Sequence, residues 1–162
     1  MSSSSHQSQE AKYNPISSSL MNLFTISEEP IDIHTIREAS LHPHSGGFSS
    51  FEGWVRNHHD KKPVQSLEYS AYKILAEKEG QKIVEQAKEK FAIDTAYCSH
   101  RVGHLSIGDI AVYVAVGAAH RDAAFLACRF IIDEIKTRVP IWKKEHYQDG
   151  STDWPHCQGC SH

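Results

Sequence analysis

The chain has 162 residues, 40% of them hydrophobic, and 17 Lys+Arg against 20 Asp+Glu leave a net charge of −3. That length carries one domain with its own core plus tails, and the slightly acidic balance argues against nucleic-acid binding across a broad basic face. The longest apolar run, Ile110 to Ala119, is far shorter than the roughly 18 residues a membrane span needs; no basic start leads into an apolar core at the N-terminus, so a cytoplasmic protein is expected.

Residues 1–21 are Ser-rich and aperiodic and read as a disordered tail; structural patterning begins at Asn22 and holds to Trp154 as one domain. Leu23, Phe24 and Ile26 suggest a short strand. Ile33, Ile36 and Leu41 then recur as on one short helix, which the run His42 to Gly47 breaks. Phe48 to Asn57 alternates as a strand, with Phe51, Gly53 and Val55 on a core face and Glu52, Trp54 and Arg56 on the other. Gly53 removes a side chain in mid-strand, a mark of a bulge or a close approach. After the polar loop Asn57 to Pro63, Val64 to Tyr72 reads as a second strand carrying Leu67, Tyr69 and Ala71 inward.

Lys73 to Phe91 spaces Ala76, Gly80, Ile83, Ala87 and Phe91 as a helix with a charged, solvated face. Ile93 to Val102 follows as a strand, Gly103 to Asp109 as a turn, and Ile110 to Ala118 as a strand apolar on both faces and therefore central. A long helix over about 121–137 has Ala124, Cys128, Ile131 and Ile135 as its inner stripe, widened by Phe125 and Ile132, and a last strand lies near Trp142 to Tyr147. This order predicts an α+β fold, a mostly antiparallel sheet with helices packed on one face.

Four cysteines are too few for a disulfide scaffold, and Cys98 and Cys128 sit in apolar segments as buried free thiols. In the tail 155–162, Cys157 and Cys160 with His156 and His162 have half-site zinc spacing. Four ligands within seven residues make a cramped tetrahedron, so a flexible tail without a metal site is expected.

The chemistry concentrates at the two ends of the long helix. His120 and Arg121 open it, where unpaired backbone N–H groups and the dipole favour an anion such as phosphate or carboxylate. The alternative is a solvent-facing His and an Arg paired with Asp122. Lys136 lies in the last turn and Lys143 seven residues on; Pro140 lacks an N–H and pushes Val139 towards extended geometry, so Val139 to Trp142 must turn and can bring Lys143 back to Lys136. Neighbouring ammonium groups or burial would pull a lysine from its usual pKa of about 10.4 towards nucleophilic use. Solvated lysines favouring the helix dipole are the plain alternative.

Four segments together, Phe51 to His58, His100 to Asp109, Val116 to Phe125 and Lys136 to Glu145, resemble in order and spacing the large, catalytic subunit family of molybdopterin synthase, over about residues 23–154. The resemblance implies an α/β hammerhead-like fold and a sulfurtransferase of molybdenum-cofactor synthesis needing no cofactor of its own. A small ubiquitin-like subunit would carry a thiocarboxylate on its C-terminal glycine and deliver two sulfurs in turn to cyclic pyranopterin monophosphate. Carried over by position, Lys136 and Lys143 would be catalytic. Arg56, His120 and Arg121 would hold the pterin phosphate, with Lys144 and Glu145 lining the pocket.

One helix carries both His120 and Lys136, sixteen residues or about 24 Å apart. A small substrate cannot touch both ends, so each site is expected to combine Lys136 and Lys143 of one chain with His120 and Arg121 of a second, making a homodimer with one small subunit on each chain. Two rivals are a Schiff-base lysine enzyme acting on a phosphorylated carbonyl compound and a non-enzymatic binder of a ubiquitin-like tail. Neither accounts for all four segments.

Overall fold

A computed structural model of the chain describes residues 22–59 and 62–154. The expectations for the tails 1–21 and 155–162, including Cys157 and Cys160, lie outside the described residues. In chain order the elements are β1 (Phe24–Ser27), α1 (Ile33–Ser40), β2 (Gly47–Trp54), β3 (His58–His59), β4 (Lys62–Ala71), α2 (Lys73–Lys90), β5 (Thr95–Arg101), β6 (Gly103–Ser106), β7 (Ile110–Ala118), α3 (Arg121–Arg138), β8 (Ile141–Tyr147) and β9 (Thr152–Asp153).

The strands form two sheets rather than one. The first has the order β1-β5-β7-β2, with β1 parallel to β5 and the other pairs antiparallel. The second is antiparallel and runs β3-β4-β8-β9, with β6 also paired to β4. The fold is therefore α+β and mostly antiparallel. Strand β7 is central, and its residues from Ala111 to Ala118 are buried, as expected for a strand apolar on both faces.

Alternation on β5 and β7 divides the first sheet's two faces. Cys98, Val112, Val114 and Val116 face the long helices α2 and α3 in the main core, together with Ala124, Ile131 and Ile135. Tyr97, Tyr113 and Ala115 face the other way, onto Ile36 of the short helix α1. Two helices thus share one face, and α1 covers part of the second. Its start is fixed by Asp32, whose carboxylate accepts from the Thr35 backbone N–H at 3.1 Å and from the Thr35 hydroxyl at 2.7 Å. Gly80 of α2 lets the helix descend onto β1, because a Cβ there would lie 2.2 Å from the Phe24 ring.

Four local expectations are corrected. Gly103 to Ser106 is a strand rather than a turn, since Leu105 is completely buried against Val55, Val64, Leu67 and Tyr147 and draws the segment onto β4. His58 and His59 lie in a two-residue strand and not in a loop. Strand β2 stops at Trp54, where the register against β7 shifts between Gly53 and Trp54. Beyond the bulge Val55 enters the second core; Phe51, placed on the core face, is exposed even though it precedes the bulge. Finally, Phe125 does not widen the inner stripe of α3; it is exposed with Leu126, and Ala127 is buried instead.

Candidate active site

A cavity of about 380 Å³ opens where the two sheets meet under the C-terminal turn of α3. Its polar lining includes Arg56, His100, Lys136 and Lys143, with Glu52 and Trp54 from β2. Ile132, Ile135, Val139 and Val112 supply apolar wall. Among the described residues the charge balance is cationic, three basic side chains to one carboxylate, which suits an anionic ligand.

Local sequence explains how these groups converge. Helix α3 closes at Val139, whose N–H donates to the Ile135 carbonyl at 3.2 Å and whose backbone is extended, as the following Pro140 requires. The Ile141 N–H then donates to the Val139 carbonyl at 2.9 Å, and the chain turns directly into β8. This tight reversal puts Lys136 and Lys143 on the same cavity. Arg138 holds the helix end in place, donating from Nη2 and Nε to Glu79 of α2 at 2.8 and 3.0 Å and from Nη1 to Gln86 at 2.6 Å.

Lys143 alternates with Glu145 and Tyr147 on the buried face of β8. Its ammonium lies 3.4 Å from Glu145 Oε1, and His59 Nδ1 lies 2.7 Å from the same oxygen. Glu145 Oε2 accepts from the Tyr147 hydroxyl at 2.6 Å. Glu145 is 1% exposed, so its charge depends on the Lys143 ammonium and the Tyr147 hydroxyl, with the His59 ring close by. Its place is behind Lys143, and it does not line the cavity. Lys144 projects from the opposite face of β8, with its ammonium 5.6 Å from the Trp154 ring centre, and it does not line the cavity either.

Arg56 reaches the cavity because the β2 bulge precedes it and because Val55 is clamped. The Val55 N–H donates to the Asp109 carbonyl at 3.0 Å, and the Val55 carbonyl accepts from the Gly108 N–H at 2.8 Å. Gly53 makes the close approach its position suggested, for a Cβ there would stand 2.6 Å from Val112 Cγ1. His120 and Arg121 are exposed at the far end of α3 and lie outside this cavity. Gly47 packs against Arg121, with its would-be Cβ 3.3 Å from the Arg121 backbone, so the start of β2 sets where the helix begins.

His100 was not singled out from the sequence. It lies in β5, paired with Ile26 of β1 and Val112 of β7, and contributes to the cavity wall beside Lys136. Burial, with the nearby Lys136 charge acting in the same direction, pushes its pKa down to about 4. Alternation along Ser99-His100-Arg101 could have flagged it, since a strand buried on both faces must turn its histidine inward. Cys98 and Cys128 are buried and free, and burial raises both thiols above their usual range. No helix among the described residues is long and apolar enough to cross a membrane.

The family described as MoaE protein matches residues 26–138 of this chain. The molybdopterin synthase catalytic subunit of Nostoc sp. is 40% identical over 138 residues, covering 85% of this chain and 84% of its own length. That of Thermoplasma volcanium is 40% identical over 129 residues, covering 80% and 94% respectively. The crystal structure of molybdopterin synthase from Staphylococcus aureus is similar at a TM-score of 0.78 and 38% identity, covering 83% of this chain and 97% of that one.

Proposed function

The chain belongs to the MoaE protein family, the catalytic subunit of molybdopterin synthase, and from that premise we propose that it moves sulfur from the C-terminal thiocarboxylate of a small ubiquitin-like subunit onto cyclic pyranopterin monophosphate. The observation that carries this reading is the convergence of Lys136, Lys143 and Arg56, from three separate elements, on one cavity with apolar walls. Both ligands are anionic where they react, the tail as a thiocarboxylate and the pterin as a phosphate. Cations held in a partly dry cavity stabilise such charge more than they would in water.

In this mechanism Lys136 and Lys143 orient the thiocarboxylate and stabilise the oxyanion that develops on its carbonyl. Lys143 is held rigidly by Glu145, and Arg56 stands at the rim for the pterin phosphate. Each delivery leaves one sulfur on the pterin and returns the tail as an ordinary carboxylate, its new oxygen coming from water.

The active unit is a homodimer with a small subunit on each chain. His120 and Arg121 of one chain complete the phosphate site of the other. Two features support this: the continuous helix α3 separates His120 from Lys136 by about 24 Å, and Phe125 and Leu126 leave apolar surface exposed near the start of that helix. The test is to mix the protein with the thiocarboxylated small subunit and cyclic pyranopterin monophosphate and to assay molybdopterin. Wild type should form product, and Lys136→Ala should lose at least about 10²-fold in rate; unchanged turnover by Lys136→Ala would refute the assignment.

A further inference from the structure

Every sulfur delivery in the reading above joins the thiocarboxylate sulfur to a pterin carbon, which gives up an oxygen substituent as water, and a second water must then cleave the acyl carbon–sulfur bond that still ties the tail glycine to the pterin. The cavity is poorly furnished for that task at first sight. Lys136, Lys143 and Arg56 are all donors, and a water held only by donors has its lone pairs engaged and cannot attack. A nucleophilic water needs an acceptor for its own hydrogen. Among the described residues Glu52 is the one carboxylate in the lining, and its Oε1 already accepts from the Trp54 indole at 3.4 Å on the exposed strand β2.

His100 meets the requirement from the interior. Its Nδ1 lies 2.8 Å from the Arg101 carbonyl oxygen. A carbonyl only accepts, so Nδ1 carries the hydrogen and Nε2 keeps its lone pair. Among the described residues nothing bonds Nε2. The ring is held by Tyr69, which packs edge-on at 5.0 Å between centroids, and by the pairing of β5 with strands on both sides. It shares the cavity with Lys136.

We propose that His100 is a further catalytic residue, the acceptor that holds and deprotonates the water which releases the small subunit's tail. The water donates one hydrogen to Nε2 and turns a lone pair to the tail carbonyl. The carbonyl carbon–oxygen bond forms, and the Lys136 and Lys143 ammoniums receive the developing oxyanion. The carbon–sulfur bond of the acyl group then breaks, the electron pair stays on sulfur as the pterin thiolate, and the proton passes from Nε2 to solvent. Burial and the Lys136 charge hold the imidazole down as a weak base. A thiocarboxylate or phosphate in the cavity acts the other way and raises its basicity when the reaction needs it.

This inference rests on the sulfur-transfer reading, and one experiment separates their failures. His100→Asn keeps an N–H for the Arg101 carbonyl but removes the acceptor at the Nε2 position; His100→Gln restores an amide acceptor without a base. Each is mixed with thiocarboxylated small subunit and cyclic pyranopterin monophosphate, quenched in time, and read by intact-mass spectrometry of the small subunit. Expected is a covalent small-subunit–pterin adduct that accumulates in His100→Asn and hydrolyses about 10²-fold or more slowly than in wild type. His100→Gln should fall between the two. Added hydroxylamine, a nucleophile that needs no base, should discharge the adduct and leave a hydroxamate on the tail. Wild-type turnover by His100→Asn, or lost turnover without adduct in a variant that keeps wild-type circular dichroism and small-subunit affinity, overturns the role of His100. If wild type in parallel forms no molybdopterin from these two substrates, the sulfur-transfer reading itself fails.

Discussion

At the scale of single residues, the two lysines differ in what stands behind them. Lys143 depends on Glu145, a buried carboxylate shared with His59 and Tyr147. Removing that carboxylate takes away the counter-charge 3.4 Å from an ammonium at 4% exposure. Glu145→Ala is expected to cost about 3–5 kcal/mol in urea denaturation, and Glu145→Gln less, because the amide still accepts. Loss of less than about 1 kcal/mol by Glu145→Ala would mean that water or another group already compensates the pair.

His100 has a signature in acid. The unfolded chain takes up a proton on this imidazole near its usual pKa of 6.5, whereas the folded chain does not until about 4. Between those values the unfolded state binds more protons, so stability falls as pH drops through that window, by on the order of 3 kcal/mol. Denaturation of wild type near neutral pH and at about pH 4.5 should show the drop, and His100→Asn should lose that share of it. An equal drop in both proteins would place the titrating group elsewhere. The Pro140 break made a return of Lys143 towards Lys136 legible from the sequence, whereas Arg56 was joined to them only through the family resemblance. Lys144 and Glu145 were misplaced because β8 turns one outward and the other behind Lys143. His100 went unnoticed because a lone histidine in an apolar strand gives no chemical signal without its neighbours.

At the scale of elements, close approaches made by glycine set the geometry. Helix α2 can lie on β1 only because Gly80 has no side chain. An added Cβ would meet three Phe24 ring carbons at 2.2, 2.3 and 2.6 Å, and Phe24 is itself 2% exposed. Gly80→Ala gains about 1 kcal/mol of helix propensity but overpacks a core that costs about 1–3 kcal/mol to distort. Destabilisation should win, read as a lower urea midpoint with unchanged slope; a higher midpoint would show that the ring moves freely. Periodicity located the helices and the central strand well, since α2, α3 and β7 each keep one pattern for two turns or more. It failed at β2, β3 and β6, where a bulge, a two-residue pairing and the burial of Leu105 are tertiary effects that short polar segments do not announce.

At the scale of the whole molecule, α3 carries cationic side chains at both ends, too far apart for one small ligand to touch both. Its C-terminal end supplies Lys136 to a cavity at the junction of the two sheets, and its N-terminal end exposes His120 and Arg121 about 24 Å away. The division into two sheets was not legible, because strand order in sequence does not reveal that β4 and β8 leave the first sheet to pair with each other. The length of α3 was legible from spacing alone, and the composite site proposed from it is open to test. Two-fold symmetry makes it testable: Lys136→Ala and Arg121→Ala homodimers should each be nearly inactive. Unfolded, mixed and refolded together, they form heterodimers in which one of the two sites draws both intact residues from different chains. The account expects molybdopterin formation to recover to roughly a quarter of the wild-type rate in that mixture. No recovery above the separate parents, with heterodimers present by mass spectrometry, would contradict it.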